Sequence, residues 1–273
     1  DLLDYHERAI RPERTRIYVV GDASFSITMK LLESRFGGWR ARGEASVLPI
    51  SSEHTTSGAP SRARIVIVDQ PGATQSMIIA GSAVPQTLQS SEEELQVFNA
   101  LIGGDFLGRL NLNLREDKGW SYGMHSAFMF SRLGATFATG GLVETDRTAD
   151  AMAEMRREIA DLLGNRPPTD DEVSGVIHNR IVTLPGRYQT GDSVLHYLVT
   201  LRETGRSYDE LERVRERLTR LDAQAVSALG RLALDSEQLQ WLVIGDRSRI
   251  EEPVRKLGWA EVEIRSRRGE RLH

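Results

Sequence analysis

The sequence predicts an α+β fold in which a largely antiparallel β-sheet carries helices packed on one of its faces. The order of the predicted elements favours this fold class, and the composition is that of a globular chain. The hydrophobic patterns run in the order strand, strand, helix, strand pair, several helices, and finally strand and helix. The chain has 273 residues, of which 40% are apolar, so it also has enough material for a sizeable core.

The two ends of the chain carry similar strand–helix patterns. Residues 16–20 (RIYVV) are predicted as a buried strand that runs into Gly21-Asp22 and a helix over about 24–36. Residues 240–244 (QWLVI) run into Gly245-Asp246 and a short helix, and both patterns close on Gly-Trp. This similarity indicates a duplicated domain, with coincidence between two βα units as the alternative.

Duplication predicts a division of the chain into three parts. Residues 1–39 are then the last strand and helix of a preceding homologous domain. Residues 40–61 are polar and rich in Ser, Gly and Pro, which is typical of a linker. Residues 62–273 form a complete domain.

That domain is predicted to open with two strands and a helix. The strands are RIVIVD (64–69) and QSMIIAGSAV (75–84), and Pro71-Gly72 marks the turn between them. Ser91, with Glu94 three residues later, gives a capping box for a helix that reaches residue 101.

The segment after residue 144 is predicted to be mainly helical. Its capping boxes are Thr169 with Glu172 and Ser207 with Glu210. The helices expected there cover about 170–183, 191–204, 208–218 and 222–234. A preceding apolar face is formed by Met152, Met155, Ile159, Leu162 and Leu163. A methionine stripe at this spacing is typical of core packing and not of a cofactor site.

Residues 99–123 (NALIGGDFLGRLNLNLREDKGWSYG) are the stretch on which the functional prediction rests. An apolar helix breaks at Gly103-Gly104, a pair that fits a hinge better than an anion site, and restarts at Asp105. The restarted helix is predicted to place four apolar side chains on one side, at Phe106, Leu107, Leu110 and Leu114.

A helix end and two strands are predicted to follow. Gly119 supplies the left-handed residue that ends the helix. Residues 121–130 form a strand that pairs as a meander with residues 135–143.

Arg115 and Tyr122 are predicted to meet at one corner, because Arg115 lies on the last helical turn and Tyr122 begins the next strand. A guanidinium and a phenol aimed at one point can donate hydrogen bonds to a peptide carbonyl or to an oxyanion. Alternatively, Arg115 pairs with Glu116 or Asp117 while Tyr122 packs, and the residues alone leave both interpretations open. His125, an odd number of residues after Tyr122, is expected on the opposite face of the strand.

The sequence lacks the residues and motifs that several classes of function require. The absence of cysteine excludes disulfides, thiolate zinc sites and a cysteine nucleophile. The motifs HExxH, HxxEH and GxSxG and a phosphate-binding glycine loop are also absent. A net charge of −4 argues against nucleic-acid binding. No apolar run approaches the ~20 residues that a membrane-spanning helix needs. Judged from its residues alone, the chain has neither a self-sufficient set of catalytic residues nor a metal site.

Residues 101–123 closely resemble the substrate-binding motif of the pitrilysin/insulinase family of inverted-motif (HxxEH) zinc peptidases. The match is to the zinc-free second domain of a bacterial member. YHERAIRPERTRIYVVGDAS (5–24) is similar to the ending of the family's first domain, and VDQPGATQSMIIAG (68–81) to the strand pair that begins its second. The sequence departs from the family motif at Gly108, where a small Ser is common, and at Trp120-Ser121. Neither departure removes a hydrogen-bond donor.

The resemblance implies half of a duplicated clamshell with the LuxS/mitochondrial-processing-peptidase-like fold. In that family the first domain binds zinc through HxxEH and a distant glutamate. The second contributes an arginine and a tyrosine that hold peptide substrate and support the tetrahedral intermediate, and by motif these are Arg115 and Tyr122. The resemblance therefore implies the non-catalytic half of a zinc metalloendopeptidase. Its partners would be a peptide and a zinc-bearing HxxEH domain or subunit, and the isolated chain is expected to bind no zinc and to cleave nothing.

The alternative function is a scaffold or binding protein that keeps the fold without proteolysis, as the resemblance to respiratory-complex core subunits allows. Retention of both Arg115 and Tyr122 favours the peptidase. A periplasmic location is expected, with the cytoplasm as the alternative, and a homo-oligomer remains open.

Overall fold

The computed structural model describes residues 2–41, 62–131 and 134–272. Its helices are α1 (Leu2–Ala9), α2 (Phe25–Phe36), α3 (Glu92–Asn99), α4 (Arg109–Asn111), α5 (Thr148–Leu163), α6 (Asp170–Thr183), α7 (Gly191–Thr204), α8 (Glu210–Thr219), α9 (Ala223–Ala233) and α10 (Arg247–Lys256). Its strands are β1 (Arg64–Asp69), β2 (Gln75–Val84), β3 (Ser121–Ser131), β4 (Gly134–Glu144), β5 (Gln240–Gly245), β6 (Val262–Arg265) and β7 (Arg271–Leu272). No helix in these ranges is both long enough and apolar enough to cross a membrane.

The chain divides into two compact units. The first comprises Asp1–Thr56 and Thr183–Tyr208 and contains α1, α2 and α7. The second comprises Ser57–Val182 and Asp209–His273 and contains all seven strands of the described residues. The predicted linker, residues 40–61, lies outside the described residues except at its first two positions.

The second unit is built on one seven-stranded sheet with the strand order β3-β4-β2-β5-β1-β6-β7. Four neighbouring pairs are antiparallel, namely β3 with β4, β4 with β2, β2 with β5, and β6 with β7. β1 pairs in parallel with β5 and β6, which requires crossover connections such as the one through α10. The predicted α+β fold with a largely antiparallel sheet is therefore confirmed.

The helices of this unit cover one face of the sheet. Ile78 and Val143, on neighbouring strands, are fully buried, as are Met152 and Met155 of α5. Ile79 and Leu142, next to these residues in sequence, are exposed on the other face. The methionine stripe is thus core, as predicted, and the sheet keeps one open face.

The first unit differs from the sequence prediction at residues 16–20. These residues were expected to form a buried strand, but they belong to no strand, and both Ile17 and Val19 are exposed. A β-strand is stabilised by backbone hydrogen bonds to a neighbour, and the described residues of this unit include no strand that could serve as one. The helix predicted after this segment is confirmed as α2, capped by the Ser24 hydroxyl.

Two of the three predicted capping boxes are wrong. Ser91 ends a 3₁₀ turn (Gln86–Ser91) with φ −102° and ψ 29°, so its side chain accepts no hydrogen bond from the first turn of α3. Residues 207–209 form an irregular turn, and α8 begins at Glu210 with Asp209 as its N-cap. The box at Thr169 is formed.

Candidate functional site

The site begins with a loop that interrupts the helix after α3. The helix continues through a π-helical turn (Ala100–Gly104), and Asp105 then takes an extended conformation with φ −113° and ψ 158°. Gly108 caps the start of α4, and a second π-helical turn (Leu112–Asp117) follows. The hinge interpretation of Gly103-Gly104 therefore describes the backbone, since the chain changes direction directly after them.

The apolar stripe predicted from Asp105 onward is only half correct. Leu110 and Leu114 are fully buried, whereas Phe106 is 60% exposed and Leu107 is 74% exposed. The backbone of Gly108 lies so close to the preceding turn that a Cβ there would lie 2.8 Å from both N and Cα of Gly103. This close approach folds the loop back on the helix and directs Phe106 and Leu107 away from the core.

The end of the second helical segment follows the prediction. Gly119 has a positive φ of 64°, which glycine adopts without steric cost. Its N–H donates to the Arg115 carbonyl at 3.2 Å, and the Trp120 N–H donates to the Leu114 carbonyl at 2.9 Å. Arg115 is thereby fixed one turn before the strand that carries Tyr122.

A β-bulge at the start of β3 decides which side chains face the site. Ser121 pairs with Val143, but Met124 pairs with Gly141, so three steps on β3 oppose two on β4. Ser121 and Met124 are consequently both buried although they are an odd number of residues apart.

The bulge overturns the prediction for His125. Tyr122 is 89% exposed, and His125 is exposed on the same side of the strand. The prediction assumed strict alternation, which the extra residue breaks. Gly123, a glycine inside a strand pattern, is the sequence signal that could have indicated the bulge.

Two buried asparagines that the sequence analysis missed hold the edge of β3. Asn111 Oδ1 accepts a hydrogen bond from the Met124 N–H at 2.7 Å. Asn99 Nδ2 donates to the Ser126 carbonyl at 3.0 Å, and the Ser126 hydroxyl donates to Asn99 Oδ1 at 2.7 Å. Backbone groups that would otherwise be unpaired at the edge strand are therefore satisfied by the preceding helical segments.

Arg115 lies between two aromatic rings at the exposed corner. Its Cζ is 4.2 Å from the ring centroid of Phe106 and 5.5 Å from that of Tyr122. Its Nε is 3.4 Å from Glu116 Oε1, and the side chain is partly buried. The structure thus contains elements of both sequence interpretations, because Arg115 pairs with Glu116 while Tyr122 remains open to solvent.

This geometry holds the guanidinium in place while leaving donors accessible. Cation–π contact with the faces of Phe106 and Tyr122 is worth roughly 0.5–1 kcal/mol at exposed sites and restricts the orientation of the side chain. Within the described residues, the Tyr122 hydroxyl makes no hydrogen bond. The corner can therefore donate hydrogen bonds from Arg115 and Tyr122 to a carbonyl or anionic oxygen.

A charged cleft of about 500 Å³ lies beside α4, and its arginines are paired with its glutamates. Arg109 makes a bidentate ion pair with Glu172, at 3.0 and 3.1 Å from Nη2. Burial favours a raised pKa for Glu172, but the Thr169 N–H and Arg109 outweigh it, so the pKa lies below its usual value. This network ties α4 to the start of α6.

A zinc ion does not fit the residues present. Over the described ranges, no group of three or more His, Asp or Glu side chains is placed to hold a metal ion. The full sequence contains neither HxxEH nor cysteine.

Comparison with known proteins identifies the family. Residues 1–180 match the family model described as "Peptidase M16 inactive domain", which is more than half of the chain. The chain belongs to this family. The resemblance to the zinc-free domain of the pitrilysin/insulinase peptidases is thereby confirmed.

The M16 inactive domain is similar in sequence to mycobacterial proteins. It is 26% identical over 165 residues to an uncharacterised zinc protease of Mycobacterium leprae, covering 60% of this chain and 36% of the relative. It is 28% identical over 163 residues to an uncharacterised zinc protease of Mycobacterium tuberculosis, covering 59% and 35%. The chain thus spans about a third of the length of these relatives.

The M16 inactive domain also shares its fold with solved structures. A protease from Helicobacter pylori matches with a TM-score of 0.76 and 15% identity, covering 90% of this chain and 58% of that one. A peptidase M16 inactive domain from Pseudomonas fluorescens matches with a TM-score of 0.68 and 16% identity, covering 83% and 52%. At these identities the likeness concerns the fold alone.

Proposed function

We propose that this M16 inactive domain binds peptide substrate and supports the transition state of a zinc peptidase whose HxxEH half lies outside this chain. The observation that carries the proposal is the corner at Arg115 and Tyr122. The guanidinium carbon lies 5.5 Å from the phenol ring, and Tyr122 is 89% exposed. Two hydrogen-bond donors are thus presented side by side on an accessible surface.

The chemistry of the two groups suits amide hydrolysis. When bound in the other half, zinc polarises the peptide carbonyl and activates water. Arg115 can hold a substrate carbonyl with its N–H groups, and Tyr122 can donate its O–H to the oxygen on which negative charge develops. Because Phe106 and the hydrogen-bonded turn before Gly119 fix Arg115, little reorganisation is needed when that charge appears.

We also propose that residues 1–39 complete a preceding homologous domain, with residues 62–273 forming the substrate-binding domain. Within the latter range, Thr183–Tyr208 belong to the first compact unit. The first unit exposes many large apolar side chains over its described residues, including Phe25, Ile27 and Leu31 of α2. Such a surface is expected to be covered by a further part of the protein. The short span of this chain relative to the mycobacterial zinc proteases supports the same proposal.

The proposed location is the periplasm. The family resemblance and the absence of cysteine are its support. Fractionation of cells that produce the complete protein tests it, and recovery in the cytoplasmic fraction would contradict it.

The test of the function uses the complete enzyme, with this domain and its zinc half together. Arg115→Ala and Tyr122→Phe are each expected to lower peptide turnover by about a hundredfold or more, since loss of one such donor has that effect. Arg220→Ala and Tyr208→Phe change exposed residues of the same types and should leave turnover unchanged.

Zinc content is measured in all four variants to show that the catalytic half is intact. Normal turnover in both Arg115→Ala and Tyr122→Phe would overturn the proposal and favour the scaffold alternative. The isolated chain is expected to cleave none of the same peptides.

A further inference from the structure

A groove of about 690 Å³ runs between the loop after α3 and the side of α6. Its apolar walls come from Leu101, Phe106, Leu107, Leu112 and Val176. On α6 the groove is bordered by Gly175, where an added Cβ would meet no atom within 4 Å. The missing side chain at this position keeps the groove open.

The walls of this groove include unusually exposed apolar side chains. Phe106 is 60%, Leu107 74% and Leu112 46% exposed, and all three lie within seven residues of one another. Exposed apolar surface costs free energy in water, and this free energy is regained when a ligand covers the surface. The groove therefore favours an apolar ligand group.

The rim of the groove carries two unpaired carboxylates. Asp105 and Asp171 are exposed, and in the described part of the chain neither carboxylate has a hydrogen-bond or ion-pair partner. Arg109, the cation among the lining residues, is paired with Glu172. A positively charged group beside the apolar one would thus be favoured over a negative one.

The groove adjoins the Arg115 corner, because Phe106 forms one of its walls and also carries the Arg115 guanidinium on its ring. We infer that the groove is a side-chain subsite for peptides, taking a bulky apolar residue that is followed by Lys or Arg. This inference rests on the proposed function, since it assumes that the ligand of this domain is a peptide.

The test measures binding of labelled peptides to the 273-residue chain by fluorescence anisotropy. Three short peptides differ only in one central pair, which is Leu-Arg, Ser-Arg or Leu-Glu. Burial of the leucine should make the Leu-Arg peptide bind roughly tenfold or more tighter than the Ser-Arg peptide. The exposed rim charges give a smaller effect, about two- to fivefold between Leu-Arg and Leu-Glu.

Variants of α6 locate the binding. Gly175→Leu adds a side chain where a Cβ meets no neighbouring atom and should abolish the leucine preference, whereas Ser174→Leu, on the neighbouring exposed position, should retain it. Asp171→Asn should reduce the preference for Arg over Glu, whereas Asp192→Asn, which changes the first turn of α7 in the same way, should not.

Equal binding of the three peptides would overturn the inference, as would a leucine preference that survives Gly175→Leu. Failure of the Leu-Arg peptide to bind at about 1 mM would also overturn it. Arg115→Ala separates this inference from the proposed function. The leucine preference should persist in Arg115→Ala whatever this change does to turnover by the complete enzyme. The two proposals can therefore fail separately.

Discussion

Asn111 offers the most direct test of how this fold positions Tyr122. The side chain is 3% exposed, and its Oδ1 accepts the Met124 N–H at 2.7 Å, at the end of the β3 bulge. Asn111→Ala leaves this buried N–H without a partner. An unsatisfied buried donor costs about 1–3 kcal/mol, and the space left by the amide adds to it, so we expect a loss of about 2–3 kcal/mol.

Urea unfolding, monitored by tryptophan fluorescence, measures this loss of stability. A domain of ordinary stability, about 5–15 kcal/mol, stays folded after such a change, so function can be assayed below the transition. Asn165→Ala removes an exposed asparagine and serves as the control, with an expected change within about 0.5 kcal/mol. A similarly small change for Asn111→Ala would refute the assignment of this hydrogen bond as a structural anchor.

The same variant should also reduce turnover by the complete enzyme. Without the Asn111 contact the strand can relax towards regular pairing, which moves Tyr122 relative to Arg115. Full turnover with reduced stability would show that the anchor stabilises the fold without positioning the site.

Two further predictions concern stability. The pKa of Glu172 lies below the usual 4.5 in the folded state, because the Thr169 N–H and Arg109 outweigh the effect of burial. Its charged form therefore stabilises the fold above about pH 4.5, and this contribution is lost as pH falls through the lowered pKa. Glu172→Gln should then be less stable than the parent near pH 7, and the difference in urea midpoint should shrink as pH falls below about 4.5. A difference independent of pH would contradict this. Gly141→Ala should destabilise by about 1–3 kcal/mol, since its Cβ would lie 2.5 Å from the Gly123 carbonyl oxygen, whereas Gly175→Ala in α6 should stabilise by up to about 1 kcal/mol. Melting temperatures of the two variants check this, and a shift in the same direction for both would contradict it.

The regular elements were predictable because their sequence patterns are local. The apolar run in residues 75–84 indicates a strand, and the apolar spacing from Met152 to Leu163 indicates the buried face of a helix; both elements form as expected. The cap at Thr169 was also readable, because donor and acceptor lie three residues apart in one helix.

The predictions failed where contacts between different parts of the chain override the local sequence pattern. The exposure of Phe106 and Leu107 depends on the backbone contact between Gly108 and Gly103, which no periodicity reveals. The face of His125 depends on the register of β3 against β4. A strand at 16–20 requires a partner strand, and hydrophobicity alone cannot supply one.

The convergence of Arg115 and Tyr122 was anticipated from their spacing and from the family motif, but its geometry was not. The ring of Phe106 beneath the guanidinium, at 4.2 Å from Cζ, is a contact between the loop and the second helical segment. The same loop forms the wall of the proposed subsite, so one local break in the helix shapes both parts of the candidate site.

The central claim is that Arg115 and Tyr122 stabilise a tetrahedral oxyanion more strongly than they bind the substrate. Affinity for a phosphinic peptide, a mimic of that tetrahedral state, tests it directly in the complete enzyme with Tyr122→Phe. We predict that this variant binds the phosphinic peptide about a hundredfold more weakly but the matching substrate less than about tenfold more weakly. Equal weakening of both ligands, or no change in either, would contradict the claim.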